Sequence, residues 1–184
     1  FAIEVAQASP AITSLAGVDR KIANKIIAAL HNENFVPIYN DDIIGTQIGG
    51  SIKNVIAIAL GMATALKATE SAKASLITQG LKEMALLSKK FGGKAKTMLE
   101  PCGVGDLVLT CGSKKSRNMS LGFAIGEGQN FTEILESRKT VAEGALTAKS
   151  LTKLIAQPQL SLPLCQKTFQ ILYQSRAVKD ILRF

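Results

Sequence analysis

The chain has 184 residues, 47% of them hydrophobic and 20% charged, with 22 Lys and Arg against 14 Asp and Glu for a formal charge of +8. That length holds one ordinary domain, or one domain with a remnant of a second, and the apolar content supplies a packed core, which excludes intrinsic disorder. A single histidine, His31, excludes His-rich metal sites and Ser-His-Asp hydrolysis, while three cysteines with no CxxC pair exclude a disulfide framework and indicate a reducing, cytoplasmic setting.

Residues 11–16 carry Ile12, Thr13 and Leu15 and stop at Gly17, the pattern of a short strand. Asp19 suits a helix N-cap, and Ile22, Ile26, Ile27 and Leu30 follow on one face. Residues 35–39 predict a second strand. A strand, helix, strand unit of this size cannot bury its own sheet, so it is expected to be the edge of a larger one.

From Asp41 and Asp42, which suit a helix N-terminus, the periodicity is helical nearly to the end. It predicts helices over 42–66, 71–91, 117–126, 141–156 and 163–174 and a last amphipathic piece near 176–183, so the body is expected to be mainly α. The first of these helices is apolar and long enough to raise a membrane question. Lys53 and Asn54 in its middle weigh against it, because an ionisable group at the bilayer centre costs roughly 2.5–3.5 kcal/mol. A buried helix without membrane insertion is the expectation. Residues 100–115 are expected to form a long irregular loop, and such loops in compact domains often carry function. Eight basic residues face three acidic ones over 82–117, so the positive excess is local. No aromatic side chain alternates with the basic cluster at 114–117, and no nucleic-acid partner is expected.

Two segments carry chemistry. In Gly49-Gly50-Ser51-Ile52-Lys53-Asn54, steps of four align Gly49, Lys53, Ala57 and Gly61 on one side of a helix, leaving room beside the ammonium for a ligand or another backbone. Ile and Val neighbours would desolvate it, which suits proton transfer; the same pattern fits a lysine that snorkels from a core helix to water. The second segment is Gly103-Val104-Gly105-Asp106-Leu107-Val108-Leu109-Thr110-Cys111, followed by Lys114-Lys115-Ser116-Arg117-Asn118. Its glycines would let backbone approach a ligand, and Asp106 can hold a lysine or a hydroxyl. Ser116, Arg117 and Asn118 open a helix whose N–H groups favour an anion, an arrangement that makes a phosphate clamp or, as the alternative, a solvated basic loop before a capped helix. Cys102 and Cys111 lack further thiol or imidazole partners and read as buried small residues, and Cys165, Met62, Met84 and Met98 read as core.

Segments 49–59, 103–111 and 116–118, with Val141-Ala142-Glu143-Gly144, together resemble the bacterial NAD(P)-dependent glycerol-3-phosphate dehydrogenases in order and spacing. The resemblance covers nearly the whole chain. It implies an oxidoreductase that interconverts dihydroxyacetone phosphate and sn-glycerol 3-phosphate with NAD or NADP as cofactor, supplying phospholipid synthesis, commonly as a homodimer. It implies a helical substrate domain of the 6-phosphogluconate-dehydrogenase C-terminal type over 41–184. Residues 1–40 would be the last part of a Rossmann-type cofactor domain, because Phe1-Ala2 matches the tail of the family's SGPxFA segment. The GxGxxG turn of the cofactor half does not occur in the 184 residues, so this polypeptide alone is expected to be inactive. By the resemblance Lys53 is the general acid/base and Asp106 orients it and the substrate hydroxyls. Asn54, Thr110, Ser116, Arg117 and Asn118 would complete the substrate site, while Ala2, Arg117, Val141 and Glu143 would contact the cofactor. The residues alone also admit a non-catalytic helical ligand-binding or dimerisation module in which Lys53 is structural.

Overall fold

The computed structural model describes residues 2–113, 115–137, 142–152 and 160–183. Helix α1 (Ala2–Ala6) leads into β1 (Ala11–Ala16), α2 (Arg20–Leu30) and β2 (Phe35–Asn40). The strands pair in parallel, with Ala11 opposite Phe35 and Ala16 opposite Asn40, and α2 makes the crossover that parallel pairing needs. Asp19 caps α2 by accepting from the N–H groups of Lys21 and Ile22 at 2.8 and 3.1 Å. Within α2 Ala23 is the buried residue, whereas Ile22, Ile26 and Leu30 are exposed. Ile27 of the same apolar face is half-buried, and the sheet is two strands wide among the described residues.

The helical body is built around α3 (Ile43–Ala65), in which every residue over 54–63 is buried. Four helices pack on it: α4 (Glu70–Lys90), α5 (Asp106–Gly112), α6 (Arg117–Gly126) and, beyond α7 (Phe131–Ser137), α8 (Glu143–Ser150). Helix α9 (Pro163–Tyr173) closes the remaining side. A helix so surrounded is apolar all round, which is why α3 has the length and composition of a membrane span while serving as the core. The approach of α6 rests on glycine: a Cβ on Gly122 would lie 1.9 Å from the carbonyl oxygen of Ile58, and one on Gly61 2.2 Å from that of Met119. Part of the room left by the small-residue stripe is thus filled by a neighbouring backbone. Met62, Met84 and Met98 fill the core as expected.

Two buried carboxylates hold the frame. Asp42, at 5% exposure, caps α3 and accepts from Gly45 N, Lys94 N and Thr97 Oγ1 at 2.8, 2.7 and 2.5 Å. Burial pushes this carboxyl up, but the three donors outweigh it and hold the group below its ordinary value. Glu83 on α4 is fully buried and accepts from the N–H groups of Leu164 and Cys165 at 2.7 and 3.0 Å and from Gln79 Nε2 at 3.0 Å. Its two oxygens thus partner N–H groups in the first turn of α9 that have no acceptor within the helix. Burial and Glu83 push the Cys165 thiol well up.

The expected irregular loop over 100–115 is largely helical instead. A 3₁₀ helix (Ala95–Leu99) passes into a π-helix (Pro101–Gly105), which runs directly into α5. A Cβ on Gly103 would lie 2.4 Å from the carbonyl oxygen of Met98, so this glycine serves the fit of the wide turn against its own chain and not approach to a ligand. Helix α7 was not expected; Asn130 caps it through Thr132 N at 2.8 Å, and Phe131 packs edge-on against Tyr173 with ring centroids 5.2 Å apart. The expected helix over 141–156 is described as Glu143–Ser150, and the terminal piece is a 3₁₀ helix, Val178–Leu182. Cys102 is half-buried where a buried residue was expected, whereas Cys111 is buried and its thiol is pushed up to about 12 by burial and by Asp106.

Candidate active site

Lys53 rises from α3 one turn after Gly49 and Gly50, and its Nζ donates to Asp106 Oδ2. The two side chains are 19% and 31% exposed, so the pair is sheltered without being sealed. Asp106 is the first residue of α5, and Thr110 one turn later donates Oγ1 to Asp106 Oδ1 at 3.3 Å. One carboxylate oxygen thus faces an ammonium and the other a hydroxyl, which fixes the plane of the group. The ammonium meets a carboxylate and is not left among aliphatic side chains.

The segment carrying Asp106 is tied to its surroundings just upstream. Cys102 N donates to Ser14 Oγ of β1 at 3.3 Å, and Cys102 Sγ lies 3.6 Å from Thr46 Oγ1 of α3. Strand, core helix and π-turn therefore converge beside the ion pair.

A chain of amides links the other elements. Asn118 Nδ2 donates to Asn54 Oδ1 at 2.9 Å, Asn54 Nδ2 donates to the carbonyl of Gly50 at 3.2 Å, and Gly144 N donates to Asn118 Oδ1 at 2.9 Å. Gly144 has no alternative here, since a Cβ would lie 2.5 Å from the carbonyl oxygen of Asn54. With α3, α6 and α8 so joined, Arg117 Nη2 stands 3.5 Å from Glu143 Oε1 in an open pair, 58% and 68% exposed. Ser116 caps α6, its Oγ accepting from Met119 N at 3.3 Å.

Two adjoining cavities open on Lys53 and Asp106. The first, about 430 Å³, is polar, with Lys53, Lys115 and Arg117 as its cations. The second, about 520 Å³, lies between β1 and the helical body, with Ile12, Ser14, Thr46 and Cys102 on its walls. Glu4, Gly50, Lys53, Asp106 and Leu109 belong to both. Of the residues expected from sequence, Lys53, Asn54, Asp106, Thr110, Ser116, Arg117, Asn118 and Glu143 all reach the first cavity. Ala2 starts α1 but lies outside both linings; Glu4 of the same helix reaches them. Val141 lies outside the described residues. Lys115, Ser113 and Leu109 also line the first cavity, though sequence reasoning gave them no role. The available signal for Lys115 was its place one residue before a helix cap in a basic cluster, and Glu4 gave no signal at all. Chemically, a proton-carrying amine stands where two cavities meet, and one cavity has Lys115, Arg117 and the start of α6 grouped to receive an anion.

Residues 42–183 match the family model described as the C-terminus of NAD-dependent glycerol-3-phosphate dehydrogenase. The glycerol-3-phosphate dehydrogenase (NAD(P)+) of Aromatoleum aromaticum is 40% identical over 176 residues, covering 96% of this chain and 54% of the relative. That of Maricaulis maris is 39% identical over 180 residues, covering 98% of this chain and 54% of the relative. The crystal structure of glycerol-3-phosphate dehydrogenase from Coxiella burnetii superposes with a TM-score of 0.92 at 36% identity, over 100% of this chain and 56% of that one. The chain thus spans about half the length of the curated relatives it matches. Its helical body and short parallel sheet are those of this fold, and the chain belongs to the family of NAD-dependent glycerol-3-phosphate dehydrogenases, whose C-terminal part it carries.

Proposed function

We propose that the chain supplies the substrate-binding and proton-transfer part of an NAD(P)-dependent glycerol-3-phosphate dehydrogenase, with residues 41–184 as substrate domain and 1–40 as the last part of the cofactor domain. The observation that carries this reading is the Lys53–Asp106 pair at the junction of a polar, cation-bearing cavity and one walled by β1. Dihydroxyacetone phosphate would occupy the polar cavity, its phosphate held by Arg117, Ser116 and Asn118 at the start of α6. Its C2 oxygen would then lie within reach of Lys53 Nζ, while Asn54 supports that end through the amide chain. In reduction Lys53 gives a proton to the C2 oxygen, and in oxidation it takes one from the C2 hydroxyl. Asp106, anchored by Thr110, aims the ammonium and accepts from substrate hydroxyls.

NAD or NADP, when bound, supplies or accepts the hydride at C2. The cavity beside β1, with Ile12 on its wall and Lys53 at its end, suits the flat ring of such a cofactor, and Arg117 and Glu143 stand near enough to the junction to take part in holding it. Ala2 and Val141 keep a cofactor-side role on the strength of the family resemblance. The three free thiols suit a reducing cytoplasm, and the role of α3 as core suits a protein that does not insert in a membrane. Glycerophospholipid supply and homodimer formation complete the reading by similarity.

The test joins this chain to the N-terminal half of the Aromatoleum aromaticum relative. The fusion is expected to oxidise NADPH with dihydroxyacetone phosphate, and the 184-residue chain alone is not. Lys53→Ala in the fusion should lower kcat by about 10²- to 10⁴-fold with the helical circular dichroism intact. Near-normal turnover of that variant would remove Lys53 from the chemistry.

A further inference from the structure

Gly50 is half-buried on α3, and the space in which its side chain would stand is open. A Cβ on Gly45 would lie 2.1 Å from Asp42 Oδ2, on Gly49 2.4 Å from the carbonyl oxygen of Cys102, and on Gly61 2.2 Å from that of Met119. At each of those positions another part of the chain already fills the space. A Cβ on Gly50 would meet no atom within 4 Å. Its backbone does not require glycine either, because the glycines with positive φ are Gly92 and Gly128 among the described residues. Within a helix, glycine is a destabilising choice relative to alanine, since it loses more backbone freedom on folding. Neither packing nor backbone conformation accounts for it.

Its surroundings do. Gly50 lies three residues before Lys53 on α3, so the two share a face of the helix, and it lines both cavities. Its carbonyl is held by Asn54 Nδ2, which fixes the backbone at the junction. A side chain here would stand in the opening between the polar cavity and the one against β1, beside the amine. We propose that Gly50 is a specificity-determining residue, its missing side chain being the clearance through which the carbonyl carbon of a three-carbon phosphate ester meets the hydride donor beside Lys53. This rests on the function proposed above and adds that free space at residue 50 limits what the junction admits.

The experiment compares Gly50→Ala, Gly50→Leu and Gly112→Ala in the fusion enzyme, and glycerol 3-phosphate binding by the same variants of the 184-residue chain in a calorimeter. A Cβ on Gly112 also meets nothing within 4 Å, and Gly112 lines neither cavity. With dihydroxyacetone phosphate, kcat/KM should fall about tenfold in Gly50→Ala and about a hundredfold in Gly50→Leu, the scale expected when added methylenes crowd a fitted pocket. Calorimetric affinity should fall in the same order, Gly112→Ala should change neither quantity, and the Tm of Gly50→Ala should equal or exceed that of the parent. Unchanged kcat/KM in both Gly50 variants overturns the proposal, as does a Tm for Gly50→Ala lower by about 5 °C or more, which would mark a packed position. If Lys53→Ala is inactive while the Gly50 variants are normal, this inference falls alone; if Lys53→Ala is fully active, the functional reading falls with it.

Discussion

Asn118 and Asn54, 64 residues apart in sequence, share a buried side-chain hydrogen bond of 2.9 Å in which Asn118 Nδ2 donates, and Asn118 Oδ1 accepts from Gly144 N at the same distance. One amide therefore sets α3, α6 and α8 against each other, and the positions of Lys53, Arg117 and Glu143 depend on it jointly. Asn118→Ala would leave Gly144 N and Asn54 Oδ1 unpaired in a buried place, at about 1–3 kcal/mol for each group. Urea unfolding should show a loss of at least about 2 kcal/mol, a cost that a residue acting only on ligand would not carry.

Arg117 should behave in the opposite way. Its pair with Glu143 is open, and such a pair contributes at most about 1 kcal/mol to stability, less than the loss expected at Asn118. In the fusion enzyme the KM for dihydroxyacetone phosphate should rise about tenfold or more, as expected for loss of a charge-assisted contact. Lys115→Ala should raise the same KM by a smaller factor. Initial-rate kinetics check both, and an unchanged KM in Arg117→Ala would contradict the clamp.

Asp42 gives a pH dependence of defined sign. Its folded carboxyl is held below the ordinary value by Thr97, Gly45 and Lys94 against the opposing effect of burial. A depressed carboxyl contributes stability that is present above its unfolded pKa, about 3.9, and is lost as pH falls through the lower folded value. Thermal melts from about pH 6 down to about pH 2 should show a steeper acid loss in the parent than in Asp42→Asn, which should also be less stable at neutral pH.

Glu83 can be tested through a thiol. In Glu83→Gln one acceptor oxygen becomes an amide nitrogen, so the N–H of Leu164 or of Cys165 loses its partner, at about 1–3 kcal/mol. The start of α9 should open more often, and labelling of fully buried Cys165 by a thiol reagent should accelerate under native conditions. Equal labelling rates in the two proteins would show that Glu83 does not secure this helix.

Local signals located α3, α4 and α6 closely, because all three carry their own periodicity and α3 and α6 begin at the capping side chains Asp42 and Ser116. The residues of the candidate site were legible as types in two segments. That Lys53 would meet Asp106 came from family resemblance, because a contact between residues 53 apart leaves no trace in local periodicity. Glu83 was invisible for the same reason, since its partners stand on a helix 81 and 82 residues further on. Residues 100–115 were misread because Gly103 and Gly105 resemble a loop by composition, although close packing against Met98 is what requires Gly103. The apolar face of α2 was legible, but periodicity does not report what lies opposite it, and Ile22, Ile26 and Leu30 are exposed.

The enclosure of α3 over 54–63 determines when its amine can be displaced. A helix gripped on all sides has no cheap local opening, so its amides exchange hydrogen only when the whole bundle disassembles. Peripheral pieces such as α1 and α2 can fray and reform meanwhile. The Lys53 amine is mounted directly before the last part of the molecule to let go.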